Sequence, residues 1–335
     1  MNRAGNRAGT VLEALTDVRP VLDRELRQRS RTARSMVVMT VFLLLALGVA
    51  FITYTGETAS FNSEFGIARQ NVGRSVFEWV LILELVLLLF VVPGISAGAI
   101  TGERDRQTLI PLQVTLIGPF GIFFGKVLAS SAFVLLLVVA TAPILAMAYL
   151  LGGVAFGQIV SGILALLLIG FLLAVLGVAC SAMLRRTAAA TLIAYGVILV
   201  LCVGTAVVFA VLMVLYAVGN NGNSPDSVLA YLTPFYWNPF VLLAGAAGEV
   251  SDVNGPWPLS GIRTGFIEAQ DVNQRFRGDI LIEEPGFAGA FNERPGELAV
   301  IPLWLRSSLA LVWISVMAAM LGVRRLRTPS RSVSQ

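Results

Sequence analysis

Six long runs of apolar residues, separated by polar and charged segments, dominate the pattern of this chain. Each run is close to twenty residues or longer, which is the length an α-helix needs to cross ~30 Å of hydrocarbon. The third and fifth runs exceed that length, and tilt or a kink would absorb the excess. The pattern predicts an all-α membrane protein with six transmembrane helices, over residues 36–55, 79–100, 120–151, 159–183, 188–218 and 300–323.

The composition agrees with a membrane location. Of the 335 residues, 56% are hydrophobic and 13% are charged, whereas soluble domains carry about 25% charged residues. Apolar side chains in such excess would cause aggregation if they faced water. We therefore interpret the chain as an integral membrane protein.

The arginines indicate how the helices are oriented. With the N-terminus inside, 17 of the 24 basic residues lie on the cytoplasmic side, while acidic residues divide into six inside and thirteen outside. Basic residues accumulate on the cytoplasmic side of membrane proteins. We predict that both termini are cytoplasmic, and that the net charge of +4 reflects topology and not nucleic-acid binding.

Residues 1–35 are predicted to be a cytoplasmic segment that contains an amphipathic elbow helix. Apolar residues recur there every three or four positions from Val11 to Leu26, with arginines on the opposite face. A basic amphipathic helix beside a span lies in the interface, where its arginines meet anionic headgroups. We expect this helix over residues 11–32, with a disordered basic tail as the alternative, and disorder over residues 1–9. Residues 324–335 form a second basic cytoplasmic tail.

The largest water-facing segment is an extracytoplasmic loop, residues 219–299, between the fifth and sixth helices. It contains seven prolines, ten acidic residues and four basic residues. Its aromatic and apolar first part, residues 231–243, favours a short helix that dips into the outer interface. Residues 249–297 are interpreted as a folded or semi-ordered cap, with a solvated loop as the alternative.

The loop between the second and third helices, residues 101–118, carries alternating charges. A helix beginning at residue 101 or 102 would place Glu103 and Asp105 in its first turn, where the helix dipole favours acids. Leu109 and Leu112 would then share one face. A charged helix parallel to the membrane could receive force from a soluble subunit that supplies energy. A polar turn fits the same residues.

Several kinds of chemistry are excluded by residues that the chain lacks. It has no histidine, and its two cysteines, Cys180 and Cys202, lie in apolar runs, so neither a histidine base nor a cysteine-rich metal site is available. The one lysine, Lys126, is followed by Val127, whereas an ATP-binding Walker A loop needs Lys-Ser or Lys-Thr. The chain is therefore predicted to carry no cofactor and no catalytic site.

Several motifs follow one another in an order that is informative. Residues 19–29 match Pro-x-x-x-x-Glu-Leu with flanking arginines. Residues 103–109 are similar to Glu-Arg-Glu-x-Gly-Thr-Leu, with Asp105 in place of the second glutamate and Gln107 in place of the glycine. Pro119, the Gly125-Lys126 pair, the Gly152-Gly153 pair and residues 179–190 fit the same order. Together they resemble the ABC-2-type permease family, the membrane subunits of bacterial ABC exporters. The 219–299 loop is larger than in the simplest members.

The resemblance implies a permease subunit that forms the path for export of a hydrophobic or amphipathic substrate across the bacterial plasma (inner) membrane. A separate ABC ATPase subunit would hold ATP and Mg and supply the power. A second permease copy, identical or different, would complete the path among membrane lipids. The implied coupling residues are Glu103, Arg104, Asp105, Arg106, Thr108, Leu109 and Leu112, and those of the elbow helix are Glu25, Leu26 and Arg27.

Two other classes compete with this interpretation. A secondary transporter or channel needs ionisable groups at mid-membrane depth, and only Glu84, six residues into the second predicted span, qualifies; a sensor or anchor subunit is a related alternative. The structural alternatives for Glu84 are a carboxylate that reaches the outer interface or one that is hydrogen-bonded across helices. An intramembrane hydrolase is disfavoured, because Ser96, Ser130 and Ser181 lack an evident base.

Overall fold

The computed structural model describes residues 33–60, 72–107, 119–219, 233–248, 258–263 and 302–327. Every secondary-structure element within these ranges is helical. Six helical segments of the described chain are long and apolar enough to cross a membrane. The predicted all-α membrane class is confirmed.

Helices are numbered in chain order. The fifth predicted span is one continuous helical segment in which a π-helix separates α6 from α7. The bounds are α1 Ala33–Ser60, α2 Val72–Ser96, α3 Thr101–Asp105, α4 Pro119–Leu150, α5 Phe156–Met183, α6 Thr187–Leu199, the π-helix Val200–Gly204, α7 Thr205–Gly219, a 3₁₀ helix Thr233–Trp237, α8 Pro239–Ala246 and α9 Leu303–Arg327.

The second helix corrects a predicted boundary. It begins at Val72, seven residues before the predicted start of the span. Arg74 and Glu78 precede the predicted span, but both lie inside this helix and are buried. The apolar run predicted as the second span excludes both residues, because a charged side chain is expected to face water. Here the two charges are buried because they pair with each other.

The chain forms two compact units, of which the first contains residues Met1–Ile198 and Val312–Gln335. Helix α2 lies at its centre and packs against α1, α4 and α5. Phe77, Leu81 and Leu85 of α2 are fully buried. Gly162 of α5 faces Phe77 and Leu81, and a Cβ placed there would lie 3.2 Å from Leu81 Cδ1, so a glycine lets the two helices approach closely.

An apolar cluster closes one end of this unit. Phe123 and Val127 of α4 meet Val178 and Ala179 of α5, and Val323 of α9 joins them. Ile100 belongs to the same cluster. The cluster therefore anchors the chain directly before α3, where the candidate coupling residues begin.

The second unit comprises Leu199–Leu311. In it the 3₁₀ helix packs against α7, and α8 packs against the π-helix. The rings of Phe209 and Phe235 stack at 4.7 Å between centroids. A short helix was predicted in the aromatic segment 231–243, and the 3₁₀ helix and α8 occupy this part of the chain.

Candidate functional site

A serine from another helix holds the start of α3. Ser181 of α5 accepts hydrogen bonds at its Oγ from the backbone N–H groups of Ile100 and Thr101, each at 3.0 Å. Ile100, the N-cap residue of α3, makes no side-chain cap of its own. Ser181 therefore satisfies N–H groups that a helix start leaves open. The helix expected from residue 101 or 102 does begin at Thr101, with Glu103 in its first turn.

An ion pair joins α3 to α4. The ammonium Nζ of Lys126 lies 2.6 Å from Oε1 of Glu103, and the exposed fractions of the two side chains are 4% and 17%. Two opposite charges shielded from water in this way stabilise each other, and either one alone would be costly to bury. The single lysine of the chain is thus paired with the first acidic residue of the signature segment.

Two further side chains of α3 reach the junction between α5 and α6. Arg104 donates from a guanidinium nitrogen to the backbone oxygen of Leu184 at 2.6 Å, directly after α5 ends. Thr187, the first residue of α6, donates from Oγ1 to Oδ2 of Asp105 at 2.5 Å. Helix α3 is therefore connected to α4, α5 and α6. We call this set (Thr101, Glu103, Arg104, Asp105, Lys126, Ser181, Leu184 and Thr187) the coupling node.

Beyond α3 the chain turns through a left-handed residue. Arg106, at the C-cap, has a φ of −86° and is exposed. Gln107 has a φ of +58°, a conformation that non-glycine residues adopt at a cost. The resemblance placed glycine at this position, and the backbone keeps the conformation that glycine favours although the side chain differs.

Other predicted site residues lie outside the described residues. These are Thr108, Leu109 and Leu112 of the coupling loop and Glu25, Leu26 and Arg27 of the elbow helix. Of the predicted coupling residues, the structure brings Glu103, Arg104 and Asp105 into the node and leaves Arg106 at the surface.

At the opposite end of the first unit lies a second polar cluster. Arg74 donates from Nε to Oε1 of Glu78 at 2.8 Å and from a terminal nitrogen to Oε1 of Gln158 at 3.0 Å. Oε1 of Gln158 also accepts from the backbone N–H of Ala155 at 3.1 Å. Arg74 and Glu78 are both buried, so this cluster fastens the start of α2 to the start of α5.

Glu84 lies in the interior of the first unit. It is the thirteenth residue of α2 and fully buried, and its Oε1 accepts a hydrogen bond from Thr141 Oγ1 of α4 at 2.5 Å. Its second oxygen, Oε2, has no hydrogen-bond partner. Of the two structural alternatives, the structure shows the hydrogen bond across helices, with the carboxylate enclosed by protein.

Sequence reasoning missed Ser181, Thr187 and Gln158. Small polar residues in or beside apolar helices give no signal of a distant partner, because their bonds join residues about 80 positions apart. Within the described residues, no group of three or more His, Cys, Asp or Glu side chains is placed to hold a metal ion.

Comparison with protein families matches residues 19–260 to the family described as ABC-2 family transporter protein. The match covers most of the chain, including the coupling node, and the chain belongs to this family. It is the multi-pass membrane subunit of an ABC transporter. Such permeases typically partner with an ATPase subunit and are generally not catalytic themselves. No curated protein matches the chain.

The ion pair of the node predicts non-additive mutations. Lys126→Met removes the ammonium group beside the shielded Glu103 carboxylate, and Glu103→Gln removes the negative charge beside the buried ammonium. We expect each single variant to be destabilised and the double variant to be less destabilised than the sum, with an interaction energy of about 0.5–3 kcal/mol. Thermal unfolding of the purified chain in detergent measures this, and strictly additive losses would contradict it.

The left-handed turn predicts a position-specific response. Gln107→Gly should leave stability almost unchanged, because the relief at positive φ is offset by the greater freedom of glycine in the unfolded chain. Gln107→Val should be destabilising by about 1–2 kcal/mol. The matched control is Arg106→Val at the neighbouring residue, where φ is −86°. Equal losses for the two valine variants in thermal unfolding would show that residue 107 does not need the left-handed conformation.

Proposed function

We propose that this chain is the permease subunit of an ATP-driven exporter in the plasma membrane of a bacterium. Two permease copies, identical or different, form the path among the membrane lipids, and separate ABC ATPase subunits bind ATP and Mg on the cytoplasmic side. The observation that carries the proposal is the coupling node, in which a five-residue helix is bonded to three membrane helices.

The node supports a mechanism in which α3 transmits force. Glu103 acts on α4 through Lys126, while Thr101 and Arg104 act on the end of α5 through Ser181 and Leu184. Asp105 acts on the first residue of α6. Because these contacts lie near the ends of long helices, a small displacement of α3 shifts whole helices, which resist bending and transmit strain.

The surface of α3 supports docking of an ATPase. Asp105 and Arg106 are exposed, and Arg106 follows the last residue of the helix. These charges present a polar face to the ATPase, whose closure on ATP pushes α3. The family resemblance implies that the predicted elbow helix, with Glu25, Leu26 and Arg27, lies beside this surface.

The fifth span supports an apolar or amphipathic substrate. Residues 187–219 contain no charged side chain, and many of their large apolar residues face away from the fold, among them Leu192, Leu199 and Val207. A path lined by such residues offers few ligands for an inorganic ion.

Reversing the charge on α3 should separate coupling from folding. Arg106→Glu changes only an exposed side chain, so we expect normal membrane insertion and thermal stability together with loss of ATPase stimulation. Arg104→Glu with Arg106→Glu should abolish stimulation completely. The measurement is ATP hydrolysis by the ATPase that co-purifies with the tagged chain from native membranes.

Arg324→Glu is the matched control, because Arg324 is an exposed arginine at the end of α9 and is predicted to lie on the same side of the membrane. Full stimulation in the double variant would remove α3 from the coupling path. Failure of any ATPase to co-purify would overturn the proposal as a whole.

A secondary transporter is the alternative, and Glu84 distinguishes the two mechanisms. Glu84→Gln keeps an acceptor for Thr141 but cannot exchange a proton or bind a cation. In an ATP-driven exporter we expect this variant to retain assembly and ATP hydrolysis within about twofold, because the residue is a contact between helices. Thr141→Val, which removes the donor, serves as the control for that contact. A Glu84→Gln variant that assembles normally but loses transport would instead indicate ion coupling.

A further inference from the structure

The fifth span contains an irregularity within the stretch that is predicted to cross the hydrocarbon. The π-helix Val200–Gly204 interrupts α6 and α7. Cys202 lies fifteen residues after Thr187, the start of α6, which corresponds to about 22 Å along a helix in a layer about 30 Å thick. π-helices are rare, occur mostly as single turns inside α-helices, and are frequent at functional sites. In this environment a carbonyl without a partner costs several kcal/mol.

Two side chains supply extra donors to this segment. Thr205 donates from Oγ1 to the backbone oxygen of Leu201 at 2.6 Å. Asn238 donates from Nδ2 to the backbone oxygen of Cys202 at 2.9 Å, and the same nitrogen lies 3.1 Å from Thr205 Oγ1. Two carbonyl groups of the π-helix therefore accept side-chain hydrogen bonds, one from the following residue Thr205 and one from a residue 36 positions away.

The other end of the Asn238 amide holds a different element. Its Oδ1 accepts from the backbone N–H of Phe240 at 2.9 Å, and Asn238 is the N-cap of α8, with Pro239 as the first helical residue. The side chain is only 3% exposed. One buried amide thus caps α8 and binds the π-helix at the same time, and all these residues belong to the second unit.

The surroundings of Asn238 are apolar. Phe235 stacks on Phe209 of α7, and Val241 and Leu242 of α8 are buried. Water is therefore a poor substitute for the amide, and the two carbonyl groups of the π-helix depend on the protein for donors.

We propose that Asn238 is a positioning residue that keeps residues 200–204 in the π conformation and fixes α8 to the fifth span. Without its amide donor the segment opens or rewinds toward an α-helix, and the register of α7 relative to α6 changes. The link to transport rests on the proposed function, because it requires the fifth span to move during export. The π conformation itself does not depend on the proposed function, so it can be tested without any measurement of transport.

The two native cysteines provide the readout. Cys202 lies within the π-helix and Cys180 lies in α5 of the first unit, and both thiols are half-buried. The full-length chain in lipid nanodiscs is treated with N-ethylmaleimide, and modification of each cysteine is followed by peptide mass spectrometry. Asn238→Leu removes both hydrogen bonds of the side chain. We expect Cys202 to react about tenfold faster, as loss of about 1.4 kcal/mol of hydrogen bonding would produce, while Cys180 reacts at its original rate.

Asn238→Asp separates the two bonds. The introduced carboxylate still caps α8, but it cannot donate to the Cys202 carbonyl when ionised and can do so when protonated. An ordinary aspartate has a pKa of about 4, but burial among apolar groups raises the pKa of a carboxyl at this position. Relative to the unsubstituted chain at each pH, labelling of Cys202 should therefore be accelerated at pH 8 and return toward normal at pH 5. A general loss of packing would not show this recovery. This variant also keeps the test decisive if Asn238→Leu fails to fold.

Ser308→Ala is the matched control, because it removes a side-chain bond of 2.9 Å to the Leu305 carbonyl within the same unit and should leave Cys202 unchanged. The proposal is overturned if Cys202 labelling stays within twofold in both Asn238 variants. Equal acceleration at Cys180 and Cys202, or acceleration by Asn238→Asp that is independent of pH, would equally overturn it by showing general loosening.

Discussion

The structure depends on the requirement that polar groups inside a membrane find their partners within the protein. The buried charges of Arg74 and Glu78 neutralise each other, and Lys126 is paired with Glu103. Asn238 satisfies both a carbonyl of the π-helix and the start of α8. Exposed to water these bonds would be worth little, whereas shielded inside the protein they help to fix which helices lie side by side.

The same requirement explains the division of roles along α2. Its middle is apolar apart from Glu84 and forms the centre of the first unit, while polar contacts are concentrated at its two ends. At one end Arg74 is bonded to Gln158 of α5, and just beyond the other end Thr101 is bonded to Ser181 of the same helix. Helices α2 and α5 are therefore fastened together at both ends, and α3 extends from this rigid pair.

Much of the fold could be predicted from the sequence because long apolar runs have few alternatives in a membrane. All six spans were predicted from the residues, and a helix from residue 101 or 102 was one of two alternatives for the segment that contains α3. The start of α2 was placed seven residues too late, since Arg74 and Glu78 are charged but buried as a pair. The π-helix was not predicted, because nothing in Val200–Gly204 differs in composition from an ordinary apolar helix.

The coupling site was only partly predictable. The acidic first turn and the family signature pointed to Glu103, Arg104 and Asp105, but their partners come from other helices and carry no local signal. Asn238, in contrast, did carry a local signal, because an Asn-Pro pair before an apolar run is typical of a helix start. Its second bond, to Cys202, depends on tertiary packing and cannot be read from neighbouring residues.

The burial of Lys126 has a consequence for how neighbours of this protein are found. Its ammonium is the only side-chain amine in the chain, and at 4% exposure beside Glu103 it is shielded from acylating reagents. Lys126 will therefore contribute little to cross-links that join amine to amine, even when a partner touches this face. Reagents that activate carboxyl groups can instead react with the exposed Asp105, at the surface where an ATPase would bind.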